Sequence, residues 1–213
     1  MSAKRIWLSA VGVLFVSAAV SGADVVFMET FENPLTGTDT DLATVAWHVN
    51  IGATAAVKDS CKVPGVGPAL GMNDQIFFRL GVTGSPLLIW TEKASVGDIS
   101  NVTNVSITVR NGSASEDLKI AFKINGSWYV SQAVLNSPTE DDSYTVGIAV
   151  QSVGWNKLTF VSGSILSEGG AAALPSSGAV QAVGIFDAST TTGKANRIDD
   201  FTVQSSSGPK IVG

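Results

Sequence analysis

Three carboxylate side chains near the two ends of the sequence are candidates for a metal site. Glu29 lies two residues from Phe27 in a strand-like segment, so the two side chains are expected to share a face. Asp199, which precedes Asp200, is expected to share a face with Phe201 for the same reason. An ionised carboxylate at the edge of an apolar core is costly unless a cation compensates it. Because calcium prefers such oxygen ligands, we predict a structural calcium ion held by Glu29, Asp199 and Asp200.

The same acidic residues allow two other interpretations. A sheet-edge bulge would turn the carboxylates to solvent, or neighbouring lysine and arginine side chains would pair with them. A hydrolase would place paired carboxylates on one strand at alternate positions. Glu29 and Glu32 instead point to opposite faces of a strand, so a glycoside-acting hydrolase is only the second alternative function.

Aromatic side chains suggest a different chemistry, the stacking of an indole on the flat face of a sugar ring. Four tryptophans follow the N-terminal leader, and for most of them core packing is the simpler expectation. Trp128 and Tyr129 follow a tight turn and point to opposite faces of the same strand. One of the two must therefore face away from the core, and we predict a ligand-binding surface at Trp128 and Tyr129.

Nucleophilic catalysis has little support in the sequence. His48 is the only histidine, and the Gly-x-Ser-x-Gly motif of many serine hydrolases is absent. We therefore assign no catalytic residue and expect His48 to be structural. Cys61 is the only cysteine, so an intrachain disulfide is excluded, and the thiol is either buried or paired between molecules.

The segments that carry these residues have the alternating pattern of β-strands. Between residues 105 and 110, Val105, Ile107 and Val109 alternate with polar side chains. Residues 118–124 repeat the pattern, with Leu118, Ile120, Phe122 and Ile124 facing inward and Lys119, Ala121 and Lys123 facing outward. Asn125-Gly126 then favours a type I′ turn, which predicts a hairpin over residues 117–134.

Further strands are expected at residues 25–31, 45–51, 76–80, 87–92, 144–150, 155–161, 180–186 and 198–203. No helical period is sustained, so the fold class is all-β, a two-sheet antiparallel β-sandwich or jelly roll. Residues 52–73 and 163–178, rich in Gly and Pro, are expected to be long loops. We expect the core to include these apolar residues: Phe27, Phe31, Val105, Ile107, Val109, Ile120, Phe122, Leu158, Phe160, Ile185 and Phe201.

The N-terminus has the layout of a secretory signal. Lys4 and Arg5 precede an apolar run, and small residues lead to Ala23. The run is shorter than the roughly 20 residues of a membrane span, so we predict a cleaved signal peptide (1–23), a sandwich domain (24–204), a flexible C-terminal tail (205–213) and no membrane span in the mature chain. Loss of Lys4 and Arg5 takes the formal net charge from −5 to −7, which disfavours nucleic acid as a partner.

Short motifs carry a family resemblance. They are residues 27–33 (FMETFEN), 126–131 (GSWYVS) and 197–203 (RIDDFTV). In these the chain resembles exported bacterial jelly-roll proteins of the concanavalin-like and carbohydrate-binding-module type. That resemblance implies a non-catalytic fold that binds glycans or holds extracellular material together, often with structural calcium.

The expected function is therefore a secreted, extracellular carbohydrate-binding or adhesion module. Its partner would be an extracellular glycan, and the protein would be associated with the cell surface or released. The first alternative is a self-associating structural subunit of an extracellular matrix, sheath or filament, because the low charge and the several sheet edges suit assembly.

Overall fold

The computed structural model of this 213-residue chain describes residues 23–30, 46–50, 57–59, 76–79, 86–111, 117–136, 144–161, 164–188 and 195–206. Within these ranges the chain forms thirteen strands and one 3-10 helix, Ile99–Asn101. The strands are β1 (Asp24–Glu29), β2 (His48–Val49), β3 (Val57–Asp59), β4 (Ile76–Arg79), β5 (Leu87–Thr91), β6 (Val102–Asn111), β7 (Leu118–Ile124), β8 (Ser127–Ser131), β9 (Tyr144–Ala149), β10 (Trp155–Val161), β11 (Ser164–Ala171), β12 (Val180–Asp187) and β13 (Ala195–Ser205).

The strands form two antiparallel sheets, and the predicted all-β, two-sheet fold is confirmed. The six-stranded sheet has the order β3-β4-β13-β6-β9, with β1 paired to the C-terminal half of β13. The seven-stranded sheet has the order β11-β10-β8-β7-β12-β5-β2. The first and last described strands, β1 and β13, are therefore direct neighbours.

The main core lies between the two sheets. Its centre is formed by alternate residues of β6 and β7, and Val105, Ile107, Ile120 and Phe122 are completely buried there. Phe201 and Ile185 complete this set as predicted, and Phe27 is partly buried against it. Two expected core side chains, Phe31 and Phe160, lie outside the described residues and side chains.

One predicted core residue belongs elsewhere. Leu158 is buried, but it packs in a second apolar cluster on the outer face of the seven-stranded sheet. Ala121 faces outward as predicted, yet it is completely buried in the same cluster. This second layer lies on a face that alternation alone would assign to solvent.

The hairpin over residues 117–134 is confirmed. Strands β7 and β8 pair from Ala121 with Val130 to Ile124 with Ser127. The connecting residues Asn125 and Gly126 have φ values of 48° and 79°, the left-handed values that a type I′ turn requires.

Two predicted loops contain strands. Residues 164–171 form β11, which pairs with β10, and residues 57–59 form β3, which pairs with β4. Gly169 and Gly170 lie in β11, whose register with β10 shifts twice. The loop prediction was wrong because an edge strand with bulges tolerates the Gly and Ser residues that punctuate loops elsewhere.

Several sequence predictions concern residues outside the described ranges. These are the signal peptide before Ala23, Cys61, the rest of the first predicted loop, and the tail after Ser206. Across the described parts of the chain, no helix has the length and apolar character needed to span a membrane.

Candidate functional site

The outer face of the seven-stranded sheet carries an apolar cluster in place of the polar surface that a sandwich usually presents to water. The cluster contains Leu88, Ala121, Trp128, Val130, Leu158, Ala182 and Phe186, with Trp90 packed against it. Residues directly opposite each other in paired strands share a face, and these residues come from five of the seven strands. The outer face is therefore built across the sheet, from β5 to β10.

Two indole rings meet over the centre of this face. Trp90 lies on β5 and Trp128 on β8, with β12 and β7 between them, so their backbones are about 14 Å apart. Their ring centroids are nevertheless only 5.9 Å apart, at an interplanar angle of 76°. The approach is possible because the intervening strands present Gly184 and Ala121 at that level.

His48 extends the aromatic surface to the edge strand β2. It pairs with Trp90 in the register of β2 and β5, and the two ring centroids are 5.4 Å apart with a tilt of 36°. We call His48, Trp90 and Trp128 the aromatic strip. Exposure increases along it, because Trp128 is 7% exposed, Trp90 is half-buried and His48 is exposed.

An ion pair borders the strip on one side. Lys123 lies directly opposite Trp128, and its ammonium is 3.2 Å from a carboxylate oxygen of Glu92. The bridge crosses β12 above Ala182. Both side chains remain partly in water, so their hydrogen-bonding groups are accessible to a ligand.

A polar row borders the strip on the other side. The ammonium of Lys119 donates to both carboxylate oxygens of Glu168 at 2.8 Å. The amide of Asn156 donates to the same carboxylate at 2.5 Å, and Gln132 donates to the Asn156 amide oxygen at 2.7 Å. The row links β7, β10 and β11 with the residue that follows β8, and it presents donors and acceptors side by side.

The two residues predicted to bind a ligand are separated by the sheet. Trp128 lies on the outer face within the aromatic strip, where it is nearly buried and braces Trp90. Tyr129 points to the opposite face and is partly buried against the main core. The structure thus places one member of the pair at the candidate site and brings Trp90 and His48 to it.

The first of the predicted metal ligands, Glu29, lies on the core side of the six-stranded sheet. It is opposite Phe201 in the pairing of β1 with β13. Its carboxylate forms an ion pair with Lys93 and accepts a hydrogen bond of 3.2 Å from the indole N–H of Trp47. A lysine therefore compensates this charge, as one of the alternatives anticipated.

A β-bulge separates the other two predicted ligands from Glu29. Asp199 is opposite Thr108 and Thr202 is opposite Ser106, so the bulge inserts an extra residue, and Asp200 has a φ of 49°. Asp199 consequently shares the outer face with Thr108, while Phe201 enters the core, and the expectation that Asp199 and Phe201 share a face was wrong. Alternation predicts a shared face only where the register is unbroken.

No group of three or more metal-ligating His, Cys, Asp or Glu side chains occurs within the described ranges. Glu29 and Asp199 lie on opposite faces of their sheet, and an oxygen of Asp199 accepts the backbone N–H of Asp200 at 2.8 Å. The calcium site stays a prediction, which melting curves with calcium and with chelator at fixed ionic strength would test.

Chemically, the outer face combines what a polyhydroxylated ring requires. The half-buried indole of Trp90 offers a flat apolar surface for C–H groups. The Lys123–Glu92 pair and the polar row supply charged donors and acceptors on both sides of it. Opposite charges are balanced within each pair, so the face has no strong preference for an ionic ligand.

Sequence reasoning missed Trp90 and His48. Strand β5 reads Leu-Leu-Ile-Trp-Thr, an apolar run without alternation, so the sequence does not reveal which residues face outward. His48 was interpreted as structural because a single histidine seldom acts alone. One usable signal in the sequence is the segment of residues 182–184, in which Ala182 and Gly184 are small at alternate positions. Small residues at alternate positions of a strand leave space for large aromatic side chains from neighbouring strands.

No family model matches this sequence, and no curated protein matches it. Solved structures similar to the chain include a carbohydrate esterase from the Shiga toxin-encoding bacteriophage phi24B, with 10% identity and a TM-score of 0.47 over 87% of this chain and 100% of that one. The CBM22-1 xylan-binding domain of Paenibacillus barcinonensis Xyn10C has 14% identity and a TM-score of 0.41 over 90% and 100% of the two chains. Caldicellulosiruptor saccharolyticus CBM27-1, solved in complex with mannohexaose, has 13% identity and a TM-score of 0.28 over 77% and 92%. The two-sheet antiparallel β-sandwich that the resemblance implied is confirmed by the strand pairing of this chain itself.

Proposed function

We propose that this protein is a secreted, non-catalytic carbohydrate-binding module, and that its glycan lies on the outer face of the seven-stranded sheet. The observation that supports the proposal is the aromatic strip, in which Trp90 offers a half-buried indole face beside the exposed His48. The small residues Ala121, Ala182 and Gly184 lie buried beneath the centre of this face, which lets the two indole rings meet above the sheet.

The contributions of the site residues differ. Trp90 would stack on the apolar face of one sugar unit, and Trp128 would hold Trp90 in position through its edge-to-face contact. Lys123 and Glu92 would donate to and accept from hydroxyl groups on one side of the sugar chain. The polar row of Lys119, Glu168, Asn156 and Gln132 would do the same on the other side.

The test is a binding experiment with soluble polysaccharides. Affinity electrophoresis of the mature chain through gels containing xylan or mannan should show retardation by at least one of them, and Trp90→Ala should abolish it. The matched control is Met28→Ala, because Met28 is 54% exposed on the other sheet. Circular dichroism would establish that both variants are folded, and a folded Trp90→Ala variant that is retarded like the wild type would contradict the proposal.

The structural-subunit alternative is favoured by a different surface. Val25 and Met28 on β1 are 49% and 54% exposed, which is unusual for large apolar side chains in one short strand. Sedimentation of the mature protein over a range of concentrations would distinguish the two functions. Polymers that form with increasing concentration and that dissociate in Met28→Lys would support the structural subunit. A protein that stays monomeric at all concentrations would exclude the subunit and leave glycan binding as the remaining proposal.

A further inference from the structure

A pocket opens where β5 and β12 separate. Their pairing ends at Thr91 with Val183 and resumes at an isolated bridge between Asp98 and Ala179. Between these two points the segment after β5 contains residues 92–97, whereas the segment of β12 opposite it contains only residues 180–182. The longer segment therefore arches away from its neighbour. The arch leaves a cavity of about 390 Å³.

The composition of this pocket resembles that of a sugar site. Its floor is apolar, from the buried side chains of Ala94, Val96 and Val180. Its rim is polar, with exposed Glu92, Lys93, Ser95 and Gln181. Small-molecule sites occupy roughly 300–1,000 Å³, and this pocket lies within that range, although most of the surface it offers to a ligand is polar.

The charges of the rim favour a neutral ligand. Lys93 is ion-paired with Glu29, and Glu92 with Lys123. An anion or a cation would have to displace one of these partners, whereas hydroxyl groups would donate to Glu92 and accept from Lys93 without breaking either pair. The class of ligand is therefore an uncharged polyhydroxylated ring.

Glu92 connects this pocket with the aromatic strip. It follows Trp90 by two residues, a rise of about 7 Å along an extended chain, so the two side chains lie on the same face of β5. Its partner Lys123 lies directly opposite Trp128. A glycan chain that lies on Trp90 and continues along β5 therefore reaches the pocket, which Glu92 lines.

We infer that the pocket is a second sugar subsite, which makes the ligand an oligosaccharide of neutral units bound across Trp90 and the residue 92–97 arch. This inference rests on the proposed function, and it adds the class and the minimum length of the ligand. Residues 92–97, the arch that follows β5, are then the part of the molecule that selects the length of the oligosaccharide.

Isothermal titration with xylotriose, xylohexaose, mannotriose and mannohexaose tests the subsite. The hexasaccharide should bind the mature protein about tenfold more tightly than the trisaccharide of the same sugar. Ser95→Trp, which fills the pocket, should remove that difference and bring the hexasaccharide to the affinity of the trisaccharide. Ser152→Trp, at an exposed turn away from the pocket, is the matched control and should keep the difference.

Glu92→Gln is the second variant, because it removes the charge of the rim without adding bulk. It should reduce the preference for the hexasaccharide by several-fold. An unchanged preference in both Ser95→Trp and Glu92→Gln would overturn the subsite, as would an equal loss of affinity for both chain lengths in Ser95→Trp. If the proposed glycan-binding function itself is wrong, Trp90→Ala will leave the binding of both chain lengths unaltered. That outcome differs from failure of the subsite alone, in which Trp90→Ala still abolishes binding.

Discussion

At the scale of the residue, the outer face depends on small side chains as much as on aromatic ones. Trp90 and Trp128 come from strands separated by two others, which present small side chains at Gly184, Ala121 and Ala182 and the long side chain of Lys123 beside Trp128. A methyl group added at Gly184 would lie 2.8 Å from Cβ of Trp90 and would also overlap the carbonyl oxygen of Ile89. Gly184 is thus required by close approach of the neighbouring strand.

We therefore expect Gly184→Ala to destabilise the protein by about 1–3 kcal/mol, the usual cost of inserting a group into a well-packed site. It should also weaken glycan binding, because Trp90 must move. Urea unfolding measures the first effect and affinity electrophoresis the second. Gly170→Ala is the control: its added methyl group would meet no atom within 4 Å, so a change beyond about 0.5 kcal/mol there would be unexpected. Wild-type stability in Gly184→Ala would contradict the explanation.

At the scale of the element, the arch that borders the pocket is held at its end by Asp98. This residue caps the 3-10 helix, accepting the backbone N–H of Ser100 at 2.9 Å, and its second oxygen accepts the backbone N–H of Gly178 at 2.9 Å. The carboxylate thereby joins the segment after β5 to the segment before β12. These bonds favour the ionised form, and hydrogen bonds from Ser100 and then Gly178 hold the pKa of Asp98 below its usual value.

The depressed pKa determines how this contribution to stability varies with pH. It is fully present above the pKa of the unfolded chain, about 4, and is lost as the pH falls through the lower folded pKa. Asp98→Asn should therefore melt below the wild type at pH 7, and the difference should shrink as the pH falls below about 4. Thermal melts across this range provide the measurement, with the exposed Asp24→Asn as control. A constant difference at every pH would show that the charge of Asp98 is not involved.

At the scale of the whole molecule, the seven-stranded sheet is covered by apolar side chains on both faces. Its inner face packs on the six-stranded sheet, with Phe122 completely buried and its ring centroid 5.5 Å from that of Trp155. Its outer face carries the cluster around Trp128. The two layers have different tasks, because the inner one holds the sheets together and the outer one shapes the candidate site.

Truncation of the inner layer should therefore affect folding directly. Phe122→Ala is expected to cost about 3–5 kcal/mol, from lost burial and the cavity that remains. Val134→Ala, at a position that is 42% exposed, should cost little. Chemical denaturation of the two variants checks both values, and a loss below about 1 kcal/mol for Phe122→Ala would mean that its surroundings collapse into the space.

Local sequence pattern was sufficient to predict the fold class and most of the strands. Alternation in residues 105–110 and 118–124 specifies which side chains enter the core, and Asn125-Gly126 specifies the hairpin, because each signal is local to a few residues. The strand β11 was missed because its Ser and Gly residues carry no alternation, and only pairing with β10 makes it a strand.

The candidate site, in contrast, was decided by the tertiary structure. Trp128 was recognised from its place after a turn, but its neighbours Trp90 and His48 become neighbours only through the strand order β8-β7-β12-β5-β2, which local pattern does not encode. The bulge at Asp200 likewise moves Asp199 to the other face from Glu29. Side-chain alternation predicts a face within one strand, whereas a binding surface is formed between strands that are distant in sequence, and the register and order of those strands follow from the packing of the whole sheet.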